Sequence, residues 1–163
     1  MHIMGSLLKM LLATRSFLKM LLVAMTPFAI AAPESDPDPE DPRSHALLAL
    51  GSHYKYGGNT PRSGFDCSGL VAHVFERAWG LALPRRVEQQ AKLGKRVSRH
   101  ALEPGDLLFY NTRNSPFSHV GIYIGDGRFV HAPRRGQRVR AESVDNPYWA
   151  VRFNGARRLA PPV

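Results

Sequence analysis

The chain has 163 residues, with 22 Lys and Arg against 13 Asp and Glu, for a formal charge of +9. That length fits one domain with extensions. The single cysteine, Cys67, excludes an intrachain disulfide framework and any multi-cysteine metal site.

Residues 1–31 read as an export signal. Lys9, Arg15 and Lys19 precede an apolar run, and Ala29-Ile30-Ala31 offers an A-x-A site, so cleavage is expected after Ala31. The run is shorter than an ordinary membrane span of ~20 residues. No cysteine stands at this boundary to carry a lipoprotein-type anchor, and no stable membrane anchor is expected after cleavage. An uncleaved amphipathic anchor is the alternative reading. Residues 33–42 hold four prolines and five acids. Proline breaks helices and ladders and the acids repel one another, so 32–42 is expected to be an extended tether. From Arg43 onward 19 basic residues face 8 acidic ones, and 43–163 is the expected folded domain. Such a field suits a polyanion: nucleic acid, anionic lipid or cell-wall polymer. A solvated basic surface without a specific partner is the plainer alternative.

Within that domain Ser44 can cap a short helix over 45–52. A turn-rich stretch over 54–64 follows. Asp66 then caps a helix over 67–79, whose apolar positions Leu70, Val71, Val74, Phe75 and Ala78 recur at helical spacing before Gly80 closes it. A short third helix is expected over 87–93. From Gly105 the period changes to that of strands, over 107–110, 119–124, 128–132, 137–142 and 151–157. Helices followed by strands predict an α+β domain, with helices against one face of a five- to six-stranded antiparallel sheet.

Cys67 falls in the first turn of the second helix, directly after its cap. Unpaired N–H groups and the positive end of the helix dipole favour a thiolate there. Gly64, Ser68 and Gly69 leave room for another backbone to approach. A structural cysteine would be expected further along, on the apolar stripe.

A thiol nucleophile needs a base, and the base needs a third group to orient it. Of seven histidines, only His119 and His131 lie within apolar strand sequence. Gly125, Asp126 and Gly127 look like a three-residue hairpin loop with a bulge. In that register His131 faces Gly121, and His119 and His131 become diagonal neighbours on one face. A two-residue loop would shift the register by one and separate them. A pair of sheet histidines satisfied by backbone groups is the structural alternative.

The motifs YKYGG at 54–58, FDCSGLV at 65–71, LPR at 83–85, PGDLLF at 104–109, SHVGIYIG at 118–125 and FVHA at 129–132 occur in the order of the NlpC-type cell-wall cysteine peptidases. The chain resembles the compact, single-domain Gram-negative members over about residues 44–158. The resemblance implies a papain-like fold and hydrolysis of peptidoglycan stem peptides. It assigns Cys67 as nucleophile, His119 as base and His131 as orienting residue. It puts Tyr56 beside the oxyanion hole with the Cys67 backbone N–H, and Asp66, Ser68 and Ser118 along the groove. It calls for no metal and no cofactor, and for a monomer in the periplasm or cell wall. One departure is RVEQQ at 86–90, where many relatives carry Ser or Thr soon after Pro-Arg, which leaves specificity there open.

Three other readings compete. A non-catalytic wall-binding module would fit the charge but has no use for Cys67, His119 and His131. A nucleic-acid binder would also fit the charge, yet an export signal argues against it. The aromatics also do not interleave with basic residues as stacking platforms would. A thiol amidase or acyltransferase of the same fold would differ only in groove shape.

Overall fold

The computed structural model describes Asp38 and residues 40–163. The expected signal and most of the expected tether lie outside the described residues. The elements run α1 (Pro42–Leu48), β1 (Asn59–Thr60), β2 (Gly64–Phe65), α2 (Cys67–Trp79), α3 (Val87–Gln90), β3 (Lys95–Val97), β4 (Leu107–Tyr110), β5 (His119–Gly125), β6 (Arg128–His131), β7 (Arg140–Ser143), α4 (Pro147–Ala150) and β8 (Phe153–Arg158). β1 and β2 form a small hairpin. The other six strands form one sheet in the order β3-β8-β4-β5-β6-β7, and each neighbouring pair is antiparallel.

Period-two alternation sends side chains of each strand to two different cores. Leu107 and Phe109 of β4, and Val120, Ile122 and Ile124 of β5, meet Leu70, Val71, Val74 and Phe75 of α2 and Ala46 of α1. Leu108 and Tyr110 of β4 point the other way. There they join Phe129, Ala156, Val144 and Trp149. The expected helices do cover one face. The opposite face is covered as well, by the segment carrying α4, which the apolar periodicity did not predict. Its own signal is local: Asn146 accepts from Tyr148 N at 2.9 Å and Pro147 occupies the first turn.

Several expected boundaries are corrected. α1 begins at Pro42 rather than at residue 45, and its cap is Asp41, which accepts from Arg43 N at 2.9 Å, while Ser44 is buried inside the helix. Proline at the first helical position has no N–H to leave unbonded and its φ is already helical, so the end of the expected tether starts the domain instead. α3 stops at Gln90, and residues 92–93 continue in tighter i to i−3 turns. β3 was not expected, because an exposed three-residue edge strand carries little alternation. The strand expected over 137–142 is found as β7, at Arg140–Ser143.

α2 matches its expected span, and Asp66 and Gly80 are its caps as read. The loop carrying Gly57 and Gly58 crosses directly over its first turn. A Cβ at Gly69 would lie 2.0 Å from the Gly58 carbonyl oxygen, so only glycine allows this approach. Gly69→Ala is expected to lower the free energy of unfolding by about 1–3 kcal/mol through overpacking. Urea denaturation monitored by circular dichroism checks this, and an unchanged midpoint would mean that the crossing loop is not held.

Candidate active site

Asp66 organises the start of α2. Its Oδ1 accepts from Gly69 N at 2.7 Å and its Oδ2 from Gly57 N at 2.8 Å. Arg85, from the LPR segment, donates to both oxygens at 3.1 and 3.2 Å. Ser68 Oγ donates to Oδ1 at 3.4 Å. One carboxylate thus ties together the helix cap, the glycine loop and the segment leading to α3. Gln90 completes the link, donating from Nε2 to the carbonyls of Ser68 at 3.1 Å and Pro84 at 2.9 Å.

Cys67 follows as the first residue of α2 and is partly exposed. The backbone N–H groups of Val120 and Ser68 lie near enough to the sulfur to favour its anion. Val120 is the residue after His119, so the helix end and the start of β5 meet at the thiol. The sequence reading expected the helix end to favour a thiolate. In the structure, burial and the adjacent Asp66 charge push the Cys67 thiol up, and they outweigh the Val120 and Ser68 N–H groups.

The two strand histidines are diagonal neighbours. His119 Nε2 lies 2.9 Å from His131 Nδ1, with the rings at 89°. The register required for this is present, since Ile122 pairs with Val130. The turn is built differently from the expected loop. Gly125 pairs with Arg128, Asp126 and Gly127 form a two-residue turn with φ of 51° and 67°, and the extra residue is a bulge at Ile124. The bulge restores the register that a two-residue turn alone would have shifted.

Both imidazoles sit in the second core, buried at 5% and 0% exposure. Trp149 stacks on His119 at 5.5 Å between centroids and 22°, and meets His131 edge-on at 4.9 Å. Burial first, then the neighbouring His131 and Arg113, hold His119 well below the ordinary imidazole range. Burial likewise brings His131 down to about 4, against an opposing pull from Glu142. Both directions favour the uncharged forms, the thiol of Cys67 and the neutral imidazole of His119.

Glu142 was missed by the sequence reading. Its Oε1 lies 3.2 Å from His131 Nε2 and also accepts from Arg140, while its Oε2 accepts from Trp149 Nε1. Burial would raise its carboxyl, but the bonds from Trp149, Arg140 and His131 hold it below its ordinary value. Its place follows from the β6–β7 register, where Phe129 opposes Glu142 and His131 opposes Arg140. No tight turn joins these strands, so turn chemistry could not have fixed that register from sequence.

The remaining expected residues divide. Tyr56 is 74% exposed, and the tyrosine that faces the cleft is Tyr54. Burial, then the Cys67 and Asp66 charges, push the Tyr54 hydroxyl up. Residues two apart on a strand would share a face, but the chain leaves the extended path after Tyr54 and turns at Tyr56 and Gly57, so the two tyrosines part. Ser118 accepts from Thr112 N at 2.9 Å and so closes the 111–118 loop. That loop carries Arg113, which lines a cleft of about 520 Å³ together with Tyr54, His119, Arg134 and Gln137.

A cysteine that opens a helix packed on an antiparallel sheet, with two histidines paired on that sheet, is the papain-like arrangement of an α+β domain. The NlpC/P60 family model matches residues 51–158. The chain is 44% identical over 111 residues to the gamma-DL-glutamyl hydrolase of Bacillus subtilis strain 168, covering 68% of this chain and 27% of that protein. It is 45% identical over 109 residues to the murein DD-endopeptidase MepS/murein LD-carboxypeptidase of Escherichia coli K12, covering 67% of this chain and 56% of that protein. The crystal structure of the NlpC/p60 domain of the peptidoglycan hydrolase SagA superposes with a TM-score of 0.65 at 30% identity, over 75% of this chain and 99% of that one. An NlpC/P60 structure from Bacillus cereus gives a TM-score of 0.69 at 31% identity, over 77% of this chain and 41% of that one. This chain belongs to the NlpC/P60 family. It spans between about a quarter and just over half of the length of these curated relatives.

Two measurements follow. The Cys67 thiol is expected to show no thiolate absorbance at 240 nm at pH 7 and to titrate above the ordinary thiol range, with Cys67→Ser as the blank. A thiolate band already present at neutral pH would contradict the neutral pair. Between pH 6.5 and about 4 the unfolded chain binds protons that the buried His131 refuses, so stability rises with pH across this window. The thermal midpoint is expected to fall as pH is lowered from 6.5 toward 4, with His131 alone contributing on the order of 3 kcal/mol. His131→Asn should make that slope shallower.

Proposed function

We propose that this chain is an exported cysteine endopeptidase that hydrolyses stem-peptide or cross-link amide bonds at diaminopimelate in peptidoglycan. The observation that carries this reading is the Cys67 sulfur at the head of α2, against the strand that starts with His119, with His131 hydrogen-bonded behind it. Membership of the NlpC/P60 family and the names of the murein-acting relatives support the substrate class.

In the mechanism, His119 takes the thiol proton as the sulfur attacks the scissile carbonyl carbon. Hydrogen bonds from the Cys67 backbone N–H and the Tyr54 hydroxyl receive the developing oxyanion. The tetrahedral adduct collapses, the C–N bond breaks, and His119 delivers its proton to the leaving amine. Water then attacks the thioester with His119 as base, releasing the acid and restoring the thiol. Starting from two neutral groups, the site creates charge only when substrate is in place, where the oxyanion donors and the cleft cations can stabilise it. Asp66 and Ser68 act from the groove wall through the loop and helix they hold, and Ser118 through the loop it closes.

Arg113 and Arg134 line the cleft, and among the described residues neither is paired with a carboxylate. Their charges match the free carboxylates of stem peptides. The features of residues 1–31 support delivery to the periplasm or cell wall, and the enzyme is proposed to act as a monomer. The test is mass spectrometry of muropeptides released from purified sacculi. The wild type should release products of a single bond class, and Cys67→Ala should lower the rate by at least ~10³-fold. Equal release by Cys67→Ala, or sacculus binding with no release by the wild type, defeats the proposal.

A further inference from the structure

We infer that Glu142 is a positioning residue that sets the tautomers of both histidines and so leaves a free lone pair on His119 for the thiol. The inference rests on Cys67 and His119 being nucleophile and base, and it follows from proton counting along one hydrogen-bonded line.

Glu142 is an acceptor only, since Trp149 Nε1 and Arg140 both donate to it. The contact of 3.2 Å between its Oε1 and His131 Nε2 therefore requires a proton on that nitrogen. In a neutral His131 the other nitrogen, Nδ1, then carries a lone pair. The contact of 2.9 Å between His131 Nδ1 and His119 Nε2 in turn requires the proton on His119 Nε2. His119 Nδ1 is left unprotonated, and it is the nitrogen not engaged with His131.

The opposite order is disfavoured at its far end. It would set the lone pair of His131 Nε2 against a carboxylate oxygen, and it would leave His119 with a proton on the nitrogen meant to accept one. A doubly protonated His131 would have the same effect on His119. Burial opposes that charge, and Arg140, sharing Oε1, offsets the pull of the carboxylate. Glu142 can therefore orient the pair without charging it. Trp149 fixes the second carboxylate oxygen and at the same time covers both rings.

The first measurement needs no variant and no substrate. Long-range 1H–15N correlation spectra of the 15N-histidine-labelled wild type at pH 7 are expected to show His119 and His131 both protonated at Nε2. A His131 protonated at Nδ1 overturns the inference. The second uses Glu142→Gln, whose amide has one acceptor oxygen for the three donors that Glu142 now serves. It is expected to shift part of the His131 population to the Nδ1-protonated form, to slow alkylation of Cys67 by iodoacetamide, and to lower kcat by about 10- to 100-fold with KM unchanged, the size lost when a carboxylate that orients a metal-bound histidine is removed. Loss of activity with both tautomers unchanged, or full activity in Glu142→Gln, overturns it. The spectra and the alkylation rate do not depend on peptidoglycan being the substrate, so failure of the proposed function would be seen separately.

Discussion

The site depends on the carboxylate of Asp66. A helix N-terminus presents unpaired N–H groups, and most helices satisfy one of them with a cap that has no other duty. Asp66 caps α2 with one oxygen, holds the glycine loop with the other and is gripped across both by Arg85. Those partners come from three separate stretches of chain. Together they fix where Cys67 emerges, and they explain why the residues around it are small. The same anion helps to push the Cys67 thiol up, so the group that fixes its place also disfavours its charge.

The second organising feature is a sheet buried on both sides. A sheet covered by helices on one face alone would leave the imidazoles at a wet surface, where their protonation would follow the solvent. Here Trp149 and Phe129 enclose them, and the sheet's far face becomes a low-dielectric compartment with one acid, Glu142, at its edge. Within such a compartment hydrogen bonds are stronger and unpaired groups more costly. The orientation of the rings is thereby set by partners within the fold.

Much of this was legible in the sequence where local chemistry and periodicity agreed. α2 has both its caps and its apolar stripe written in order, and β4 and β5 show clear strand composition. The diagonal relation of His119 and His131 could be read because the hairpin at 125–127 limits the register, and a shift of one residue would put them on opposite faces. The elements that were missed rest on tertiary pairing. β3 is held by its partner strand, and α4 is too short for a periodic signal. Glu142 depends on a register between strands joined by an irregular connection. Tyr54 and Tyr56 are chemically alike, and only the path of the chain at Gly57 decides which one faces the cleft. In the same way, the acid- and proline-rich tract could not reveal that its last Asp-Pro pair opens a helix, because the signals for a tether and for a helix start are the same residues.

The bulge at Ile124 has a consequence for how this scaffold can vary. It stands at the opposite end of β5 from His119, on the hairpin, where length changes are usually harmless. Removing the one bulged residue while keeping the two-residue turn would slide β6 by a single step and turn every β6 side chain over. His131 would then face α2 instead of Trp149, and the imidazole pair would be broken by a deletion made nowhere near it. A change of length at this tip is therefore compatible with the imidazole pair only where the Ile122–Val130 pairing is kept.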